Sequence, residues 1–377
     1  MRYAVDGRCV QDHFPGIGRY AFNLVRHLAL EGPDDEFFVF YDPRAPNTRY
    51  DWGMLAAYPN IQLVEAPWGI FGLAQQLFLP RLLQRLGVAL YHSPYYVAPY
   101  FISCPLIISI HDLIPLLHPE ALPKPQLRHL FAGLIRLSLW RAECLLMDSL
   151  AAKEDLVRMA RVEDSRIAVI PLGVDDSFHP RGAKELTRLR EHWGLYLPYV
   201  LYLGINKPHK NLVRLLQAWA ELPAGVKGKY TLVLAGREDP RYPQVREAVQ
   251  ELGLETQVRF LGAIDTQDVP LLYAGASAFV FPSLYEGFGL PVLEAMASGV
   301  PVACSQVSAL PEVVGEAALL FDPYEVESIR EALERLLTDS SLRQQLVNKG
   351  LERARQFSWR YTAAQTLQLY RRVIAEG

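Results

Sequence analysis

Short runs that are apolar at nearly every position alternate with longer helical patterns along almost the whole chain. Runs such as LIISI, VLYL and LVLA leave almost no polar face, which is what parallel strands covered by helices on both sides require. Strands are therefore expected at 2–6, 37–41, 61–64, 89–92, 106–110, 144–147 and 167–170. A second series is expected at 199–204, 230–235, 258–261, 278–281, 302–304 and 318–321. Strand and helix repeated in this way predict a doubly wound α/β architecture. The two series are too long for one small sheet, so two Rossmann-like domains are expected.

The break between them falls in 171–198, where HPRGAKELTRLREHWGLYLP is polar and lacks strand character, with a short helix at 183–193. Ser358 suits the N-cap of a last helical pattern through Leu367, Leu369 and Val373. The expected domains are 1–178, joined by a closing helix at 359–377, and 194–358.

Half of the 377 residues are hydrophobic and 21% are charged, which excludes a mainly disordered chain. A net charge of −3 gives no sign of a nucleic-acid binder. Cys9, Cys104, Cys144 and Cys304 are far apart and form no CxxC, which argues against a disulfide scaffold or zinc module and for a reducing compartment. The first residues, MRYAVDGRCVQD, reach charge too early for a signal peptide. No uninterrupted apolar stretch approaches the ~20 residues of a bilayer span. The expected location is the cytoplasm, with contact to the inner face of the membrane left open.

Ligands bind beyond the carboxyl ends of strands in open α/β sheets, and four segments occupy such places. In YEGFGLPVLE, Gly287 and Gly289 permit a tight turn and Pro291 suits a first helical position. Free amides there, with Glu286 in the loop and Glu294 about one turn into the helix, suit a sugar phosphate and its hydroxyls. Each glutamate alone could equally complement the helix dipole. In GINKPHKN, Lys207, His209 and Lys210 crowd a helix opening near Asn211, a conflict that a bound diphosphate would relieve. His111-Asp112 follows the run LIISI, where the histidine could bind a substrate hydroxyl or serve a structural role. GIGRYA, with Gly16 and Gly18, opens the first helix, matches GxGxxA and is followed by Asp42, but some nine residues separate it from the first strand. It reads as a mobile glycine loop that brings backbone amides near a phosphate or acceptor, not as an NAD site.

These residues resemble retaining glycosyltransferases of the GT-B fold, specifically family 4 and its mannosyltransferase-like group. Glu286 to Glu294 matches the family's E-x7-E motif and continues into AMASGVPV and LPEVVGEAALLFDP. YLGINKPHKNL is similar to its basic diphosphate loop, ISIHDLIPLLHPE and PGIGRYAFNLVRHL to its N-terminal segments, and FSWRYTAAQTLQLYRRV to its final helix.

The resemblance implies an N-terminal acceptor-binding domain and a C-terminal nucleotide-sugar domain. It gives Glu286 the donor-sugar hydroxyls, Glu294 the ribose, and Lys210 the diphosphate with help from Lys207. The amides of Gly287, Phe288, Gly289 and Leu290 would line sugar and phosphate, residues 258–260 would pass the base, and Gly16 and Gly18 would border diphosphate and acceptor. His111 would face the reacting sugar. An arginine common in the family near Ile205–Lys207 is missing here.

The implied reaction moves a hexose from a nucleotide-diphosphate sugar to a glycan or lipid-linked glycan, with retention and without cofactor or metal. GDP-mannose is the favoured donor and a UDP-hexose the other. Asp34-Asp35 reads as a solvated turn and Asp175-Asp176 as linker, so no DxD pair stands where a metal is expected. Two other readings are a nucleotide-sugar epimerase of the same architecture and a non-catalytic nucleotide-sugar-binding protein. The apolar segment 68–73 (WGIFGL) and the basic-apolar segment 128–141 read either as ordinary core-covering elements or as a membrane-surface contact.

Overall fold

The computed structural model describes residues 1–377 apart from 123, 125, 196, 197 and 377. Two expected features therefore fall partly outside the described residues: the linker at 196–197 and the last residue of the closing helix. The chain divides into two compact units, Met1–Gly173 with Ser358–Gly377, and Val174–Phe357.

The first unit holds β1 (Arg2–Asp6), β2 (Glu36–Tyr41), β3 (Ile61–Glu65), β4 (Leu90–Ser93), β5 (Leu106–Ile110), β6 (Cys144–Met147) and β7 (Ile167–Val169). Among the described residues they form one sheet in the order β3-β2-β1-β4-β5-β6-β7. Every pairing is parallel. The second unit holds β8 (Tyr199–Leu203), β9 (Thr231–Ala235), β10 (Val258–Gly262), β11 (Ala278–Phe281), β12 (Val302–Ser305) and β13 (Ala318–Phe321), ordered β10-β9-β8-β11-β12-β13 and again parallel throughout. All five residues of β5 and all four of β11 are buried, because helices cover both faces.

The helix Trp359–Glu376 returns to the first unit. Ser358 caps it by accepting the Tyr361 N–H at 3.1 Å. Its buried positions (Trp359, Thr362, Ala363, Thr366, Leu367, Tyr370 and Val373 among them) recur every three to four residues and pack along the helix Pro15–Glu31. Asp35, expected in a solvated turn, is buried instead, between the terminal amino group at 2.7 Å and Arg371 at 3.0 Å. The helix Ala183–Trp193, expected between the domains, belongs to the second unit. Its Leu189 is buried against Gly275, where an added methyl would come within 3.2 Å of Leu189 Cδ2.

Candidate active site

The second sheet reverses its strand order between β8 and β11, so the loops leaving these strands part at their carboxyl ends and open a place for a ligand. After β8 the chain makes a 3-10 turn at Pro208–Lys210 and enters the helix Leu212–Ala220 through Asn211 at φ +60°. The lysines thus lie at and before this turn, not on the helix end itself. Asparagine tolerates that left-handed conformation better than most residues. Its side-chain amide also donates to the Pro282 and Pro323 carbonyls at 3.1 and 2.7 Å. The Leu284 N–H donates to the His209 carbonyl at 2.7 Å.

These bonds stitch the two loops together and bring Lys210 Nζ to 2.5 Å from Glu286 Oε1. The ammonium also lies 5.2 Å from the centre of the Phe281 ring. The two side chains keep only 14% and 11% of their exposure, so their charges are weakly screened.

Glu286 is held from behind. Ser308, at φ +59°, accepts the Glu286 N–H at 2.9 Å and donates its hydroxyl to the Glu286 carbonyl. At Gly289, φ is +112° and a Cβ would fall 2.6 Å from Leu310 Cδ2, so only glycine fits. Gly289 is the N-cap of the helix Leu290–Ala297, which no side chain caps among the described residues. The helix therefore opens one residue before the expected Pro291, with backbone N–H groups at its mouth. The Phe288 ring packs against Phe357 at 5.9 Å, leaving its backbone to face the loop. Glu294 is buried one turn into the helix, and Gly287 is buried in the loop.

Lys207 is half-buried and lies close to Asp239. The hydrogen bond from Arg241 holds the Asp239 carboxyl below its usual range, and the charge of Lys207 adds to this. Asn206 ties the same loops, donating to the Tyr242 carbonyl at 2.9 Å and accepting from the Asp239 N–H at 2.6 Å. A small concavity beyond β8, β9 and β10 is lined by Gly204, Asn206, Gly236, Arg237, Glu238 and Phe260.

In the first unit, His111 follows β5. Its Nδ1 meets Asp148 Oδ2 at 2.7 Å and its Nε2 the Pro94 carbonyl at 3.0 Å. Both partners are acceptors, so both ring nitrogens donate and the imidazolium is the form that satisfies them. Burial alone would lower the ring's pKa, but the charge and hydrogen bond of Asp148 raise it above its ordinary value. His92 is the opposite case. It accepts or donates between Tyr370 Oη at 2.6 Å and Ser109 Oγ at 2.8 Å, and burial lowers its pKa to about 3.

The expected mobile loop at Gly16 and Gly18 is instead the first turn of the helix Pro15–Glu31, with proline at its opening. The Gly18 N–H is used inside that turn, donating to the Phe14 carbonyl at 2.7 Å. Gly18 lets the helix approach the turn Gly7–Cys9, where an added Cβ would lie 3.1 Å from the Cys9 carbonyl. Asp42 is paired with Arg44 at 3.0 Å. Among the described residues no group of three or more His, Cys, Asp or Glu is arranged to hold a metal ion.

Residues 15–178 match the family described as Glycosyltransferase Family 4, and 188–353 that described as Glycosyl transferases group 1. The chain belongs to this family and is a glycosyltransferase of GT-B architecture. O-antigen chain mannosyltransferase B of Escherichia coli is 33% identical over 374 residues, covering 94% of this chain and 96% of its own. Among solved structures, sucrose-phosphate synthase from Thermosynechococcus elongatus superposes with a TM-score of 0.80 at 24% identity over 100% of both chains. HepE of Anabaena, in complex with UDP and glucose, gives 0.75 at 20% identity over 98% of this chain and 99% of that one.

Proposed function

We propose that this glycosyltransferase moves a hexose, best read as mannose, from a nucleotide-diphosphate sugar to a hydroxyl of a glycan or lipid-linked glycan. The observation that carries the reading is the Lys210–Glu286 pair, held at 2.5 Å between the two loops where the second sheet reverses. In this reading the diphosphate takes over Lys210, with Lys207 beside it, and the carboxylate freed from Lys210 accepts hydrogen bonds from the sugar hydroxyls. The backbone of Gly287, Phe288, Gly289 and Leu290 lines sugar and phosphate. The concavity at Phe260 takes the base, and Glu294 the ribose. The E. coli relative's activity on mannose supports GDP-mannose as donor, and the UDP and glucose in the HepE complex keep a UDP-hexose as the alternative.

The acceptor oxygen attacks C1 as the bond from C1 to the β-phosphate oxygen breaks. The acceptor proton passes to the leaving phosphate, and the nucleoside diphosphate departs with the lysines countering its growing charge. Front-side attack of this kind retains the anomeric configuration and asks for no metal. His111, with both N–H groups committed inside its own unit, serves as a fixed positive charge in this reading and not as a proton acceptor. A cytoplasmic location fits the four buried free thiols.

A panel of nucleotide sugars, each assayed with and without acceptor glycan and EDTA, tests the proposal. The expected result is acceptor-dependent release of nucleoside diphosphate and an α-linked product from an α-linked donor, undiminished by the chelator. Sugar alteration without acceptor would establish the epimerase reading instead, and loss of all turnover with EDTA would refute the metal-free step.

A further inference from the structure

Resting on the reading of His111 as a fixed positive charge, we propose that Tyr20 and Asp148 are positioning residues that hold its ring in one orientation and one charge. Tyr370 of the closing helix secures Tyr20 from behind.

His111 stands at the open end of a polar chain that runs through the core of the first unit. Its side chain keeps 14% of its exposure, whereas Tyr20, His92, Ser109, Tyr370 and Asp148 are all buried. Tyr370 Oη lies 2.6 Å from His92 Nδ1, His92 Nε2 2.8 Å from Ser109 Oγ, and Ser109 Oγ 3.0 Å from Tyr20 Oη. The Tyr20 ring then meets that of His111 edge to face, with centres 4.6 Å apart and planes at 71°. The path leads from the closing helix through β4 and β5 to the helix Pro15–Glu31, and from there onto His111. Burying these hydroxyls and an imidazole is costly unless each is bonded, and apolar side chains of the same shape would fill the core without that cost. What a satisfied polar chain adds is a single arrangement of its members, and this one ends against the ring that reaches the surface.

Asp148, the residue after β6, sets the charge. Its Oδ2 lies 2.7 Å from His111 Nδ1, and its Oδ1 is buried with no hydrogen-bond partner. A carboxylate so placed needs a counter-charge, and among the described residues the imidazolium of His111 is the cation paired with it. Asp112, from the loop of His111 itself, favours the same charged form. His92 opposes it from β4 only if protonated, and burial keeps that ring neutral down to about pH 3. Tyr20 brings no charge, since burial raises its phenol far above neutral pH.

Histidine NMR on the full chain labelled with 13C and 15N tests the ring directly, its signals being assigned from His111→Gln. Both His111 nitrogens should be mostly protonated at pH 6.5 in the wild type, and Asp148→Asn should lower the midpoint by about 1–3 pH units. Turnover is read with GDP-mannose and with UDP-glucose as nucleoside diphosphate released. Asp148→Asn should lower kcat about 10²-fold at pH 8 with donor KM unchanged, and its deficit should shrink toward pH 5.5 as the imidazolium re-forms. Tyr20→Phe and Tyr370→Phe should each lower kcat about fivefold, the worth of one hydrogen bond. The double variant should lose no more than either, because both cut one chain. Tyr20→Leu, which removes the ring as well, should cost more than Tyr20→Phe. An unmoved His111 midpoint in Asp148→Asn overturns the proposal. So does a deficit independent of pH, or losses that multiply to about 25-fold in the double variant. Were neither sugar nucleotide turned over, the donor reading alone would fall and the ring signals would decide.

Discussion

Each unit sets a cation against an acid where its sheet reverses, and the two pairs are built differently. In the first unit, Arg8 follows β1 and grips Asp6 through two nitrogens at 2.8 and 2.6 Å. Tyr91 donates to the same carboxylate at 2.7 Å, and Gln75 and the Trp68 carbonyl accept what remains of the guanidinium. Burial alone would raise the Asp6 carboxyl, but the guanidinium beside it holds it below its usual range. These side chains are 1% and 4% exposed, against 14% and 11% for Lys210 and Glu286. The first pair is saturated by protein and closes its crevice. Among the described residues, the second rests on one ion pair, with the Phe281 ring beside the ammonium. The same topology thus yields a fully partnered pair in one unit and a sparsely partnered one in the other, and what separates them is how many protein partners each charge already has.

Removing a charge from each pair should break the comparison most sharply. Arg8→Met leaves Asp6 buried without its counter-charge and should cost about 3–5 kcal/mol, read as a lower urea midpoint of the first unit's transition. Lys210→Met should leave stability far less changed. Lys210→Ala and Glu286→Ala should instead each lower turnover about 10²–10³-fold, measured as nucleoside diphosphate released by protein with an unaltered circular dichroism spectrum. Next in size is Ser308→Gly, which keeps the left-handed backbone but drops the clamp on Glu286. A lost hydrogen bond is worth about 1 kcal/mol, so kcat/KM for the donor should fall several-fold with little change in midpoint.

The smallest effect, per unit of pH, separates the two histidines of the first unit. His92 stays neutral in the fold to about pH 3, while its unfolded form takes a proton near 6.5. Stability should therefore fall as pH drops from 6.5 toward 3, by about 1.4 kcal/mol per unit. His92→Gln should flatten that slope. His111, raised in the fold, works in the other sense: its contribution is complete below 6.5 and is lost as pH climbs through its folded value. His111→Gln should remove a loss of stability on the alkaline side, and equal slopes in both variants would refute the assignment.

Much of this was legible in the chain because strands covered on both faces must be apolar throughout. The pattern located β1, β5, β6, β11 and β13 to the residue and every other strand to within one residue at each end. The loop glutamate and lysine were legible from their position after β11 and β8. Gly16 and Gly18 misled, since glycine pairs suggest loops, although Pro15 carried the opposite signal as a good first helical residue. Arg8 left no trace, because a cation after a strand reads as solvated until its three partners, brought from residues 6, 68 and 75, are in place. Ser308 was equally silent, since nothing local marks a serine for a positive φ.

Val174 and Phe357, the first and last residues of the second unit, are joined by a hydrogen bond of 3.3 Å from N–H to carbonyl. That unit is thus an insertion whose two ends meet, and on the ribosome it can fold while its host waits. The host cannot finish until Tyr370 emerges to satisfy His92 and Arg371 to reach Asp35. Synthesis begins on one unit, completes the other, and only then closes the first, so a nascent chain stalled before residue 358 would hold a complete second unit and a first unit still lacking its closing helix.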